Sequence, residues 1–136
     1  MSARESLRIL LVDDHIDSLQ SLGNVLRSGG HDVRTAIDGV EALSRAMKLP
    51  PHVALINLTL PLIDGFDVAR HMRARDDLRH IILIALTDWA SDIHARRARM
   101  AGFDAHLVKP VGVPELARAL ERVRDNLLPP LRQRSH

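Results

Sequence analysis

Short apolar runs recur at regular intervals along the chain, each followed by a polar turn and a segment with helical periodicity. The runs cover residues 9–12, 33–36, 53–56, 81–86 and 105–108. Three of them are continuously apolar, which is typical of parallel strands covered on both faces. The alternation predicts an α/β fold of five βα units, (βα)5, in which helices flank both faces of a doubly wound, parallel five-stranded sheet.

Start and stop signals for helices lie between the predicted strands. Asp38 followed by Glu41 resembles a capping box at the start of a second helix. Ser91 or Asp92 begins a fourth helix, which ends at Gly102. These signals support the helical half of the repeating pattern.

Length and composition suit a single globular domain, since 46% of the 136 residues are hydrophobic. The βα pattern continues without a linker, so one domain is predicted over residues 7–128, with flexible ends at 1–6 and 129–136. No apolar run approaches the ~20 residues that cross a bilayer, and the N-terminal segment lacks a signal-peptide cleavage site. We therefore expect a cytoplasmic protein without a membrane partner.

Composition also excludes several classes of function. The absence of cysteine excludes disulfides, zinc–thiolate sites, iron–sulfur clusters and thiol catalysis. A formal net charge of only +2 gives no electrostatic reason to expect direct nucleic-acid binding. Aromatic residues make up 2% of the chain, too few for the stacking surfaces that bind single-stranded nucleic acid. The function must therefore be sought in the polar residues that the fold brings together.

Polar side chains follow the predicted strands at their carboxyl ends, where open parallel sheets bind ligands. They are Asp13 and Asp14 after the first strand, Asn57 after the third, Thr87 after the fourth and Lys109 after the fifth. Taken alone, the acidic pair is more typical of a helix-capping turn. Together, two carboxylates beside an amide, a hydroxyl and an amine form a polar site that can hold a hard cation and an oxyanion.

Four motifs occur in order along the chain: LLVDDH at 10–15, LTLPLIDGF at 58–66, ALT at 85–87 and LVKP at 107–110. In this order and spacing, the chain resembles the receiver domain of bacterial two-component response regulators over nearly its whole length. The resemblance implies a flavodoxin-like fold and a place in phosphorelay signal transduction, as a signalling module and not as an enzyme.

The resemblance also implies roles for the residues at matching positions. Asp13 and Asp14 match the acidic pair that holds Mg²⁺. Thr87 and Lys109 match the hydroxyl and the amine that bind the phosphoryl group. His106 stands where many members of the family carry an aromatic side chain that swings inward on phosphorylation, although a packed neutral histidine is the plainer interpretation.

Position 57 departs from the pattern of the family. Receiver domains place the phosphoacceptor aspartate at the end of the third strand, four residues before a proline, and this chain has Asn57 before Pro61. An amide cannot form the acyl phosphate. It also removes a negative charge, so Mg²⁺ should bind more weakly, with the Asn57 carbonyl as a further ligand. Lys109 is then expected to pair with Asp14 or Asp13.

Three functions are compatible with these residues. The first is a pseudo-receiver, which acts by protein–protein interaction because Asn57 replaces the phosphoacceptor. The second is a conventional Mg²⁺-dependent receiver whose native residue 57 is aspartate and whose site has been silenced in this chain. The third is a flavodoxin-type cofactor carrier. This last function is disfavoured because no phosphate-binding turn rich in Ser or Thr follows the first strand, and few aromatic residues could stack on a flavin.

A cationic surface is predicted on the fourth and fifth helices. Its residues, together with a neighbouring tryptophan, are Trp89, Arg96, Arg97, Arg99, Arg118 and Arg122. Such a charge run is usually only a solvated surface. The resemblance implies an alternative, in which a histidine kinase, another signalling protein or a second copy of the chain binds the fourth helix, fifth strand and fifth helix.

Overall fold

The computed structural model describes residues 6–88 and 91–127. Five parallel strands form one sheet in the order β2-β1-β3-β4-β5. The strands are β1 Arg8–Val12, β2 Asp32–Ala36, β3 Val53–Asn57, β4 Ile82–Thr87 and β5 Ala105–Val108. The helices are α1 Ile16–Ser28, α2 Gly39–Lys48, α3 Gly65–Arg73, α4 Asp92–Ala101 and α5 Val113–Leu127.

This topology confirms the predicted doubly wound sheet, and its strand order is that of the flavodoxin-like fold. Each predicted strand lies within one residue of its observed bounds. All five residues of β3 are buried, because this strand lies between β1 and β4 and is covered on both faces. In β5, at the edge of the sheet, half-buried and exposed residues alternate.

Two hydrophobic layers hold the helices against the sheet. One layer packs side chains of α2, α3 and α4 on one face, including the fully buried Ala46 and Met72. The other packs α1 and α5 on the opposite face through residues such as Leu26 and Leu120. Helices therefore flank both faces of the sheet, as the sequence predicts, and the carboxyl edge of the strands stays open between them.

Side-chain caps fix where two helices begin. The Asp38 carboxylate accepts a hydrogen bond from the Glu41 amide at 2.7 Å. The Glu41 carboxylate accepts from the amide of Ile37, one residue before the cap, so the capping box is shifted from its usual form. Ser91, and not Asp92, caps α4 by accepting from the amide of His94.

Gly65 allows α3 to begin directly against the end of β3. A Cβ atom at this position would lie 2.5 Å from the Asn57 carbonyl oxygen and 2.8 Å from the Leu58 Cα. Both neighbours are backbone atoms, which cannot move aside as the end of a flexible side chain can. The Gly65 amide donates to the Leu58 carbonyl at 2.9 Å, which closes this turn. The absence of a side chain at Gly65 thus positions the backbone of Asn57.

Two of the sequence predictions concern the ends of the chain and membrane-spanning segments. Most of the predicted flexible ends, 1–6 and 129–136, lies outside the described residues and stays a prediction. Among the described helices, none is both long and apolar enough to cross a bilayer. The longest of them, α5, has 15 residues.

Two histidines accept hydrogen bonds at the amino end of the interior strand β1. The Leu7 amide donates to Nδ1 of His31 at 3.1 Å, and the Arg8 amide donates to Nδ1 of His52 at 2.8 Å. Burial and the nearby Arg124 guanidinium lower the pKa of His31 below its ordinary value. Burial, followed by the charge of Arg8, lowers the pKa of His52 in the same way. Both imidazoles therefore accept these hydrogen bonds in the neutral form.

We predict that acid weakens the fold through these two side chains. A histidine whose pKa is lowered by folding binds more protons when unfolded, so its contribution to stability is complete above about pH 6.5 and is lost as pH falls below that value. Urea unfolding between pH 5 and pH 7.5 measures the effect. His31→Asn and His52→Asn, which retain an acceptor that does not titrate, should each flatten the dependence.

The matched control is His80→Asn, at an exposed position. This substitution should leave the dependence of the unfolding free energy on pH as it is in the wild type. An equal flattening by all three substitutions would show that the two hydrogen bonds to the β1 amides are not the cause.

Candidate functional site

The carboxyl edge of the sheet brings the predicted polar residues together. Asp13 follows β1, Asn57 ends β3, Thr87 ends β4, and Lys109 follows β5. Three of these side chains, all except that of Lys109, are almost completely buried. Because the strands are parallel and in register, their ends meet at one edge, and polar groups far apart in sequence become neighbours.

An ion pair between Lys109 and Asp13 lies at the centre of this edge. The Lys109 Nζ atom is 2.6 Å from Asp13 Oδ2, across 96 residues of sequence. Asp13 is only 1% exposed, and the Lys109 side chain 13%. A buried carboxylate needs a compensating charge or hydrogen bonds, and the ammonium supplies both. The sequence leaves open whether Lys109 pairs with Asp13 or Asp14, and in the structure it pairs with Asp13.

The other carboxylate oxygen of Asp13 contacts the backbone amide and the imidazole of His15. The His15 amide donates to Asp13 Oδ1 at 3.0 Å. The His15 ring nitrogen Nδ1 lies 3.3 Å from the same oxygen and 3.5 Å from Asp14 Oδ1. Ligand atoms of the three consecutive residues lie within 4.8 Å of one another, which suits a single divalent cation. Two carboxylates are hard oxygen ligands, so this donor set fits Mg²⁺.

The Asn57 amide turns its nitrogen toward the acidic residues. Nδ2 donates to the Thr59 carbonyl at 2.8 Å and lies 3.5 Å from Asp14 Oδ1. Exchanging the amide nitrogen and oxygen by rotation would break the hydrogen bond to Thr59. Asn57 therefore acts here as a hydrogen-bond donor toward Thr59 and Asp14.

The ends of β4 and β5 connect Thr87 to the lysine. The Lys109 amide donates to the Thr87 carbonyl at 2.8 Å, which continues the pairing of the two strands by one residue. The peptide bond between Lys109 and Pro110 is cis. The two residues that the resemblance relates to phosphoryl binding are thus joined through their backbones.

A cavity of about 490 Å³ lies beside the ion pair, between the carboxyl edge and α1. Its polar side includes Asp13, Asp88 and Lys109, and its other wall comes from α1 and the segment after β5. The residues on that wall are Asp17, Ser18, Ser21, Leu22, Val25, Pro110 and Val111. The cavity gives solutes access to the buried ion pair.

All five arginines of the predicted cationic surface are exposed, namely Arg96, Arg97, Arg99, Arg118 and Arg122. The Arg97 guanidinium carbon lies 4.0 Å from the centre of the Phe66 ring, so this side chain is turned toward α3 by a cation–π contact. Trp89 lies outside the described residues.

His106 is exposed on β5, so the interpretation as a packed histidine was wrong. This strand lies at the edge of the sheet, where every second residue faces solvent. The position of His106 on β5 agrees with the sequence prediction, but its exposure could not be read from the apolar residues around it.

The sequence suggests that His15 could approach the acidic pair, although a loop histidine is more often only exposed. The structure shows both features, since the His15 side chain is 64% exposed and contacts both carboxylates. Its contact with both carboxylates depends on the local turn, in which the His15 amide returns to Asp13. The adjacency of His15 to the acidic pair in VDDH is the one signal that pointed to it.

Comparison with known proteins gives a consistent result. The sequence model of the family described as "Response regulator receiver domain" matches residues 9–121. A gliding motility regulatory protein of Myxococcus xanthus is 36% identical over 122 residues, which are 89% of this chain and 16% of that protein. The chain also covers only 47% of a second curated relative, so both relatives are much longer than it.

Solved structures agree in fold with this chain over most of its length. The chemotaxis response regulator CheY4 of Vibrio cholerae is 29% identical with a TM-score of 0.83, over 88% of this chain and 99% of that one. The receiver domain of the sensor histidine kinase PA1611 of Pseudomonas aeruginosa is 32% identical with a TM-score of 0.81, over 87% and 97%. That structure has a magnesium ion coordinated in its active-site cleft. Since the family model matches most of its residues, the chain belongs to the response regulator receiver domain family.

Proposed function

We propose that the chain is a pseudo-receiver, a signalling module of a two-component phosphorelay that acts through its surface and is not phosphorylated at position 57. The observation that carries the proposal is the state of Asn57, a buried amide that donates to Thr59 and faces Asp14. Asn57 occupies the end of β3, beside the Lys109–Asp13 ion pair. This is the place of the phosphoacceptor in the family.

The chemistry of phosphoryl transfer supports this proposal. The nucleophile of a receiver is a carboxylate oxygen, which attacks phosphorus and becomes part of an acyl phosphate. An amide oxygen carries no negative charge, and in this structure the amide nitrogen occupies the side nearest Asp14. The ammonium of Lys109, which could neutralise a phosphoryl oxygen, is held by Asp13 at 2.6 Å. The first observation leaves position 57 without a nucleophile, and the second leaves the Lys109 ammonium already paired before any phosphoryl group binds.

The alternative is a conventional receiver whose native residue 57 is aspartate. The rest of the edge favours it, because Asp13, Asp14, Thr87 and Lys109 are all present and in contact or close together. A carboxylate at position 57 would restore the missing charge without any change of backbone. Comparison of the two forms of the chain is therefore the central experiment.

We propose a Mg²⁺ site in both forms of the chain, with asparagine or with aspartate at position 57. Asp13 and Asp14 would hold it, with the imidazole of His15 next to both carboxylates. When bound, the ion supplies positive charge that offsets the phosphoryl oxygens. With Asn57 in place of a third carboxylate, and with Lys109 already paired to Asp13, we propose that Mg²⁺ binds weakly.

The relatives suggest the setting in which such a module acts. One solved relative is the receiver domain of a sensor histidine kinase, and another is a chemotaxis response regulator. We propose that a histidine kinase or another signalling protein is the partner of this chain, and that both act in the cytoplasm. The proposal assigns no enzymatic activity to the chain.

The exposed side of α4 is the proposed partner surface. Ile93 and Met100, two turns apart on this helix, are 76% and 82% exposed, and Arg96 lies between them. Arg99, Arg118 and Arg122 add positive charge on α4 and α5. In a symmetric dimer centred on α4, residues near the two-fold axis would meet their own copies, so that Arg96 and Arg99 would approach the same arginines of the second copy. An acidic surface on another protein is therefore a better partner than a second copy.

We predict the outcome of treatment with acetyl phosphate and Mg²⁺, read by intact mass. The wild-type chain should keep its mass, because an amide does not form an acyl phosphate. Asn57→Asp should gain the mass of one phosphoryl group, since the acidic pair, Thr87 and Lys109 are already in place.

The control is Asn24→Asp, the same chemical change at an exposed position of α1. It should gain no mass. A phosphoryl group on the wild-type chain would contradict the pseudo-receiver. No gain in Asn57→Asp would contradict the conventional alternative and would show that position 57 alone does not silence the site.

We predict that Lys109→Met weakens the fold and strengthens its response to Mg²⁺. The substitution leaves the buried Asp13 carboxylate without its ammonium, which should cost about 3–5 kcal/mol of unfolding free energy without added metal. Added Mg²⁺ should raise the melting temperature of the variant more than that of the wild type, because the amine no longer competes for Asp13.

The only other lysine gives the matched control. Lys48→Met, at the exposed end of α2, should change neither the stability nor the response to Mg²⁺ appreciably. Asp13→Asn in the Lys109→Met background should remove the response. Equal responses of the wild type and Lys109→Met would show that the lysine does not compete with the metal.

We predict that the chain alone is monomeric by sedimentation velocity up to high micromolar concentration, because its arginine-rich surface disfavours a symmetric contact. Ile93→Ser should therefore sediment as the wild type does, as should the control Val40→Ser, which removes an exposed apolar residue of α2. A wild-type dimer that is lost in Ile93→Ser and kept in Val40→Ser would contradict the prediction and assign α4 to self-association.

A further inference from the structure

A second cavity, of about 320 Å³, lies between α1 and α5. It is lined by Val25, Leu26, Gly29, His31, Val113, Leu116, Ala117, Leu120, Glu121 and Arg124. None of the polar residues of the acidic edge belongs to this lining, although Val25 of α1 lines both cavities. Its volume is at the small end of the range for sites that bind small molecules.

The imidazole of His31 can accept only one of the two hydrogen bonds that the cavity offers it. Nδ1 accepts from the Leu7 amide at 3.1 Å, so in the neutral ring the proton is on Nε2. Nε2 faces Nη2 of Arg124 at 3.4 Å. With Nδ1 occupied, this contact joins two N–H donors. The ring therefore leaves a donor without an acceptor at the inner end of the cavity.

Arg124 adds a second donor without an acceptor. Its Nε atom is buried and has no hydrogen-bond partner. Arg124 forms no ion pair with any of the described residues, although Glu121, one turn earlier on α5, also lines the cavity. A buried guanidinium N–H without an acceptor is costly, and native structures usually satisfy it with protein, water or a ligand.

Apart from the exposed Glu121, the remaining walls are apolar. Leu26 on α1 and Leu116 and Leu120 on α5 are buried side chains that line the cavity. Val25 and Val113 are exposed and also line it. The cavity thus combines a cationic end that has donors in excess with hydrocarbon walls.

We propose that this cavity binds a small amphiphilic carboxylate. The carboxylate accepts hydrogen bonds from Arg124 and from Nε2–H of His31, while His31 keeps its bond to the Leu7 amide. The apolar part of the ligand contacts the leucines of α1 and α5. A planar carboxylate matches the geometry of a guanidinium, and the single positive charge of Arg124 beside apolar walls favours it over the doubly charged phosphate.

The test uses sodium octanoate as the probe and ¹⁵N-detected side-chain NMR of the full chain. Octanoate should shift the resonances of the Arg124 Nε–H and the His31 ring, and should leave those of Lys109 in place. Arg124→Gln should weaken octanoate binding about tenfold or more, because it removes a charge-assisted donor. The control Arg122→Gln, at an exposed position of α5, should bind octanoate as the wild type does.

Two further probes identify the chemistry that is recognised. Octanol, which has the same chain without the charge, should bind at least tenfold more weakly than octanoate, and inorganic phosphate should bind more weakly as well. Equal binding of octanol, unchanged binding in a folded Arg124→Gln variant, or tighter binding of phosphate would each overturn the proposal. The backbone spectrum of Arg124→Gln shows whether that variant is folded. The readouts require no phosphorylation and are independent of position 57.

Discussion

The ammonium group of Lys109 neutralises the carboxylate of Asp13, which is buried at the carboxyl edge of the sheet, directly after β1. Without Lys109, Asp13 would be a buried charge held only by the His15 amide and imidazole. The pair also joins the second strand of the sheet to its far edge, since Lys109 follows β5. The cavity, the acidic group and the position of Asn57 are all arranged around this contact.

Much of the fold could be predicted because its parallel strands are covered on both faces. Burial on both faces leaves continuous apolar runs, and these located β1, β3 and β4 to within one residue. The edge strand β5 was located equally well, but the exposure of His106 was not, because at an edge the sequence does not say which face is covered. Ser91 and Asp92 are both good caps, so only the structure could decide between them.

The candidate site was predictable as a set of residues, since polar side chains at the ends of parallel strands must meet. Their pairing was not predictable. Lys109 pairs with Asp13 and not with Asp14 because of side-chain torsions and the turn after β1. The direction of the Asn57 amide likewise depends on its side-chain torsions. The cavity beside Arg124 was missed altogether, because its partner His31 is 93 residues away in sequence and neither residue is part of a motif.

The helix α1 contributes to the lining of both cavities, and Val25 lines both of them. A ligand that displaces this helix in one cavity would therefore alter the space available in the other. Thermodynamic linkage makes such an effect reciprocal. If a molecule bound beside Arg124 changes the affinity of the acidic edge for a second ligand by some factor, that ligand changes the affinity for the first molecule by the same factor. The two cavities would then behave as one cooperative unit, with α1 as the shared element.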